Sequence, residues 1–197
     1  MKKIVLVSMR IDEISNRKEK RDSIDQKLLT FIINCGYFPI LVPNILFDLK
    51  SFEDWLVSLK PHSILLSGGN DLGENQERDK TEFILLAYAL KNNIPLLGIC
   101  RGMQFIAKEF GAKLIPIKGF INARDKLIGE LNHKPLFFFN FGIANCPEGF
   151  YIIAKSSTGI IHGIKHKKFK LEGWMWHPER EKNFVREDIN RIKEFFL

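Results

Sequence analysis

Three short segments combine residue types suited to acyl transfer. Cys100 stands in Gly98-Ile99-Cys100-Arg101-Gly102, where an apolar run gives way to a helical one. A nucleophile displayed on so sharp a strand-to-helix turn holds its backbone under strain, and glycines two residues to either side remove Cβ atoms that would collide. At the start of a helix, free N–H groups and the helix dipole favour thiolate over thiol. The second segment is His177-Pro178-Glu179, directly after Gly173-Trp174-Met175-Trp176. A thiol attacking an amide needs an imidazole to take its proton and return it to the leaving nitrogen, and a carboxylate to hold that imidazole in one tautomer. His177 and Glu179 offer both. The third segment, Ser67-Gly68-Gly69-Asn70-Asp71, exposes backbone N–H groups through its paired glycines. The N–H of Gly69, with that of Arg101 after the cysteine, predicts an oxyanion hole.

Each segment taken alone has a plainer explanation. Short patterns recur by chance, and a free cysteine is often just a small buried residue. Glu179 without His177 beside it reads as an exposed glutamate, and Gly68-Gly69 as an ordinary turn. Their joint presence points to cysteine-dependent chemistry, provided that the fold brings them together.

The elements that must do this alternate along the chain. Strand-like runs cover Lys3 to Met9, Phe38 to Val42, Ser63 to Leu66 and Ile94 to Ile99. Between them, Ile24, Leu28, Phe31 and Ile32 recur at helical spacing before Gly36, and further helices are predicted over Phe52 to Leu59, Asp79 to Asn92 and Arg101 to Phe110. Serial β-α-β units imply a three-layer α/β/α fold with a mainly parallel central sheet. Ligands of such sheets bind at the carboxyl ends of the strands, where His177 and Cys100 are both expected. After Ile117 the pattern changes. A polar stretch runs to Lys134, and strand-like runs at Pro135 to Asn140, Phe150 to Ala154, Gly159 to Ile164 and Phe169 to Trp176 predict short antiparallel additions in the C-terminal third. An amphipathic helix over Arg186 to Phe196, with Ile189, Ile192, Phe195 and Phe196 on one face, closes the chain.

The totals bound the function. A chain of 197 residues suits one domain, 1–197, with a core that needs no staples. Three cysteines, Cys35, Cys100 and Cys146, lack metal-ligand spacing, and no secretory signal precedes the first strand-like run, so a reducing cytoplasm is the expected compartment. No apolar run approaches the roughly 20 residues that cross a bilayer. The net charge of +7 draws on two clusters, Arg17 to Arg21 and Lys165 to Lys168, each of which reads most simply as a solvated loop. No helix-turn-helix, zinc-ligand or RNA-binding signature accompanies the charge, which argues against a nucleic-acid partner. Composition alone does not choose between what remains, an acidic membrane surface and an anionic small substrate.

The paired glycines, Gly98-Ile99-Cys100-Arg101-Gly102-Met103-Gln104 and His177-Pro178-Glu179, in that order, resemble the class I glutamine amidotransferases and, among them, the γ-glutamyl hydrolase branch (peptidase C26). Further matches are Arg21-Asp22 with Asp25-Gln26, taken as part of the first helix, Arg78-Asp79 with Glu82, and Glu172-Gly173 leading into Trp176. The resemblance implies a flavodoxin-like core and a Cys100-His177-Glu179 triad that forms a γ-glutamyl thioester resolved by water. It places Gly69 and Arg101 at the oxyanion hole and Gln104 at the substrate, with Gly68, Asn70, Arg10 and Arg21 as further substrate-binding candidates. No metal or cofactor is implied, and the expected partner is a small, anionic γ-glutamyl substrate met by a monomer or homodimer. Two departures leave the leaving group open: Phe138-Phe139-Asn140-Phe141-Gly142 stands where the branch carries an Asn-Ser-x-His-type segment, and little chain lies between Gly119 and Leu136 to build a lid. A glutaminase subunit supplying ammonia to a separate synthetase would use the same triad.

Overall fold

The computed structural model describes residues 3–48 and 50–197. Its frame is an eight-stranded sheet. The first strand, β1 (Ile4–Ser8), is followed by a hairpin of β2 (Arg10–Ile14) and β3 (Glu19–Ser23), then by helix α1 (Gln26–Asn34) and β4 (Phe38–Val42). Next come α2 (Phe52–Leu59), β5 (Ser63–Leu66), α3 (Gln76–Asn92), β6 (Leu96–Ile99) and α4 (Arg101–Glu109). The remainder comprises β7 (Leu114–Pro116), β8 (Ile121–Arg124), β9 (Ile128–Gly129), β10 (Leu136–Phe138), β11 (Phe141–Ile143), β12 (Phe150–Lys155), β13 (Ile161–His166), β14 (Leu171–Trp174) and α5 (Arg186–Phe195).

The sheet order is β4-β1-β5-β6-β14-β13-β12-β9. Strands β4, β1, β5, β6 and β14 run parallel, and β13, β12 and β9 continue antiparallel. The expected parallel sheet with late antiparallel additions is therefore present. Strands β5 and β6 are buried along their whole length, as a sheet covered on both faces requires. The core joins Val5, Leu6 and Val7 of β1, Ile64 to Leu66 of β5 and Leu96 and Leu97 of β6 to Leu28, Phe31 and Ile32 of α1 and to Met103 and Ile106 of α4.

Two expectations for the N-terminal third are corrected. Arg17 to Arg21 is not a loop: Glu19–Ser23 is a strand that pairs with β2, Asp12 opposite Arg21. Charged residues fill β3, so no apolar alternation marks it, and the backbone ladder alone reveals it. Arg21 and Asp22 consequently lie on that strand and outside the first helix, which begins at Gln26 with the Asp25 carboxylate accepting from the Lys27 N–H (2.9 Å) as its N-cap. At the other end, Lys165 and His166 close β13, and Lys167 and Lys168 form the exposed turn beyond it. Helix α5 and its C-cap bury Ile192 and Phe196, while Ile189 and Phe195, expected on the same face, pack partly buried against the core.

Candidate active site

Parallel pairing fixes where the three segments emerge. Leu66 of β5 lies opposite Gly98 of β6, and Ile99 of β6 opposite Trp174 of β14. Because these strands run the same way, the glycine loop, the cysteine and the His-Pro-Glu segment all leave the sheet at its carboxyl edge, in adjacent strands.

Cys100 has φ 51° and ψ −101°, a conformation that L-residues seldom adopt, and its N–H donates to the Trp174 carbonyl at 2.6 Å. The flanking glycines are explained by close approach. A Cβ on Gly98 would lie 2.4 Å from the backbone of Gly102, inside the turn itself. One on Gly102 would lie 2.2 Å from the Leu66 carbonyl oxygen, so this glycine lets α4 approach β5.

The imidazole of His177 is buried, and its Nδ1 meets the Glu179 carboxylate at 2.7 Å. That contact leaves Nε2 for the cysteine side of the ring. Gly68 brings the walls together: a Cβ there would lie 2.8 Å from His177 Cε1 and 3.7 Å from Cys100 Cβ. The thiol's own aligned hydrogen bond goes to the Phe138 carbonyl (3.6 Å), but Cys100 is close enough to act on the proton affinity of the ring. Burial opposes charge on His177, and the Glu179 carboxylate and Cys100 together outweigh it, raising the ring to about 10.

A small cleft of about 40 Å³ opens beside these groups, lined by Arg10, Asp25, Ser67, Gly68, Gly69, His177, Glu179 and Arg180. His177 stands in that wall and Cys100 does not, and roomier grooves of about 410 and 660 Å³ elsewhere include neither.

The other predicted residues divide. Gly69 (φ 89°) lies in the cleft wall under the Arg10 side chain, and the Arg101 N–H sits at the first position of α4, where a helix leaves its donors without intrahelical partners. Arg10 lines the cleft and also pairs with Asp12 at 2.7 Å. Arg21, by contrast, pairs with Glu19 on the exposed hairpin, outside the cleft wall. The Asn70 side chain accepts from the Ile11 N–H (2.9 Å) and from Arg78 Nη1 (3.2 Å) and donates to the Ile11 carbonyl (3.0 Å). Gln104 is buried, its amide donating to the Phe141 carbonyl at 2.6 Å. Asn70 and Gln104 thus brace the walls: one ties the glycine loop to β2, the other ties α4 to β11.

Sequence reasoning missed the cover over the cysteine and one cation. Strand β10 lies across the site, its Leu136 carbonyl accepting from the His177 N–H (3.1 Å) and its Phe138 carbonyl receiving the thiol. Arg180 enters the cleft with its guanidinium 4.4 Å from the centroid of the Phe138 ring. Its position directly after Glu179 was the available signal.

The sequence profile of the family "Glutamine amidotransferase class-I" matches residues 18–196. The chain belongs to the class I glutamine amidotransferases. Among curated proteins of this enzyme family, it is 33% identical over 140 residues to the γ-glutamyl-CDP-amidate hydrolase of Campylobacter jejuni, covering 68% of this chain and 69% of that protein. It is 31% identical over 163 residues to a subunit of the glutamine-hydrolysing GMP synthase of Pyrococcus abyssi, covering 77% of this chain and 81% of the relative. Of the undivided GMP synthases that it matches, it spans about a quarter of the length. A solved structure from Thermoplasma acidophilum, assigned provisionally to a GMP synthase subunit, superposes over the whole chain and 93% of its own length with a TM-score of 0.72 at 24% identity. That likeness concerns the fold, and it agrees with the class I amidotransferase architecture described above. Among the described residues, no helix is long and apolar enough to cross a membrane, and no group of three or more His, Cys, Asp or Glu side chains could hold a metal ion.

Proposed function

We propose that this amidotransferase-family chain hydrolyses γ-glutamyl amide bonds, with Cys100 as nucleophile, His177 as proton carrier and Glu179 as the group that orients it. The observation that carries the reading is the meeting of a strained elbow cysteine with a carboxylate-bound imidazole at the sheet's carboxyl edge. The Cys100 sulfur, its proton held by His177, attacks the γ-carbonyl carbon and forms a C–S bond. Negative charge moves to the carbonyl oxygen, facing the N–H groups of Gly69 and Arg101. Collapse breaks the C–N bond, and His177 gives its proton to the departing nitrogen. Water then attacks the thioester, its proton passing to His177, and releases glutamate and free thiol.

For the leaving group, we favour an anionic amidate of the γ-glutamyl-CDP-amidate kind. Similarity to the Campylobacter jejuni hydrolase supports it, as do the net charge of +7 and the placement of Arg10 and Arg180 in the cleft wall. The second reading, a glutaminase subunit feeding ammonia to a separate synthetase, is favoured by the similarity to a GMP synthase subunit of comparable length. Incubating the purified chain with γ-glutamyl-CDP-amidate and, separately, with glutamine decides between them. The proposal expects glutamate and the free amidate by mass spectrometry, at a kcat/KM far above that for glutamine. Glutaminase activity that appears only with a partner present would overturn it.

A further inference from the structure

Arg78 stands on α3 with no exposed surface, pointing at the back of the glycine loop. Its Nη2 donates to the carbonyls of Ser67 (2.7 Å) and Gly68 (3.1 Å), and its Nη1 to the carbonyl of Gly69 (2.7 Å) and to Asn70 Oδ1 (3.2 Å). Successive carbonyls converging on one point repel each other, and a buried cation is what makes the arrangement favourable. In turn, Nε donates to Glu82 Oε1 at 3.0 Å, so the guanidinium is itself compensated.

Glu82, also without exposed surface, links both halves of the site. Oε1 accepts from the Ser8 hydroxyl (2.8 Å), whose oxygen accepts from the Ser67 N–H (3.0 Å). Oε2 pairs with the guanidinium of Arg101, the residue that follows the cysteine. A single buried carboxylate therefore grips the glycine loop through Arg78 and Ser8, and the start of α4 through Arg101.

The consequence follows from peptide geometry. In a trans peptide, the C=O and the N–H point in opposite directions. With the Gly68 carbonyl drawn to Arg78, the Gly69 N–H of the same peptide faces away from α3, while a Cβ on Gly68 would lie 2.8 Å from His177 Cε1 and 3.7 Å from Cys100 Cβ. We propose that Arg78 and Glu82 are positioning residues that set the direction and spacing of the two oxyanion donors, Gly69 N–H and Arg101 N–H. This inference rests on the hydrolase reading above. An arginine is required because its planar fork reaches several carbonyls at once, which the single ammonium of lysine does not.

The test compares wild type with Arg78→Lys and Glu82→Gln. Each protein is assayed for hydrolysis of γ-glutamyl-p-nitroanilide, for affinity toward a γ-glutamyl aldehyde that forms a hemithioacetal on cysteine, and for alkylation of Cys100 by iodoacetamide. Alkylation needs the thiolate but not the oxyanion donors. We expect kcat to fall roughly 10²- to 10³-fold, the scale of losing one oxyanion donor, and aldehyde affinity to fall in parallel. KM and the alkylation rate should stay within about threefold. Retained aldehyde affinity, or alkylation that falls in step with kcat, would overturn the inference, the latter marking a merely structural role. Should Arg78→Lys not fold, the near-isosteric Glu82→Gln decides by the same three measurements. A wild-type protein inactive on every γ-glutamyl amide defeats the hydrolase reading, whereas active variants matching an active wild type defeat the positioning role alone.

Discussion

At the scale of single residues, the three cysteines differ in what surrounds them. Burial pushes the Cys35 thiol up to about 12 and raises that of half-buried Cys146, whereas Cys100 lies beside His177 at the start of α4. Iodoacetamide at neutral pH should therefore modify Cys100 first, as peptide mapping can read, and equal labelling of all three would count against an activated thiol. Cys100→Ala should abolish glutamate release with an unchanged melting temperature. His177→Ala should cost nearly as much and add little to it, because the two groups act as one unit. Glu179→Gln should cost less, since an unoriented ring retains some activity. The raised pKa of His177 also carries a stability consequence. Its folded-state value lies above the unfolded 6.5, so its contribution is complete below about pH 6.5 and is lost as pH rises toward 10. Urea titrations of wild type and His177→Ala between pH 6 and 10 should show the wild type losing more over that window.

At the scale of elements, two contacts make sharp predictions. Strand β5 and helix α4 approach so closely at Gly102 that an added methyl would meet the Leu66 carbonyl, which is backbone and cannot rotate aside. Gly102→Ala should destabilise by about 1–3 kcal/mol and displace the elbow, so that thermal melts and activity fall together. On β13, His162 is buried among the rings of Phe120, Phe137 and Phe139. Burial lowers it to about 4, with Asp125 offsetting only part of the effect. A depressed value stabilises the fold above the unfolded pKa, and that stability is lost as pH falls from about 6.5 toward 4, by about 3 kcal/mol in all. His162→Phe should accordingly shrink the drop in melting temperature between pH 7 and pH 4.5; an unchanged drop would place the acid-sensitive group elsewhere. Most regular elements were legible from periodicity: β4, α2 and β5 end where apolar spacing and turn residues put them. The β2–β3 hairpin was not, because its second strand carries charged side chains and its order comes from backbone pairing alone.

At the scale of the whole molecule, positive charge makes association depend on salt. If the substrate is anionic, kcat/KM for it should fall as ionic strength rises from about 10 to 300 mM, where the Debye length shrinks from about 30 Å to less than 10 Å. That for neutral γ-glutamyl-p-nitroanilide should barely change. Parallel salt curves for the two substrates would remove charge steering from the account.

The sequence by itself determined the family and the layer order: a cysteine between glycines, a histidine two residues before a glutamate, and alternating strands and helices are properties of local composition and spacing. Tertiary structure decided which polar side chains face the cleft and which brace it. Asn70 is spent on the N–H and carbonyl of Ile11 and Gln104 on the carbonyl of Phe141, partners 59 and 37 residues away. Arg21 points out along a hairpin that no apolar pattern announces, while Arg180 is turned into the cleft over a ring from β10. The reason is that a polar side chain takes its role from the donors and acceptors that distant strands bring within reach, and those are set only when the sheet closes its register.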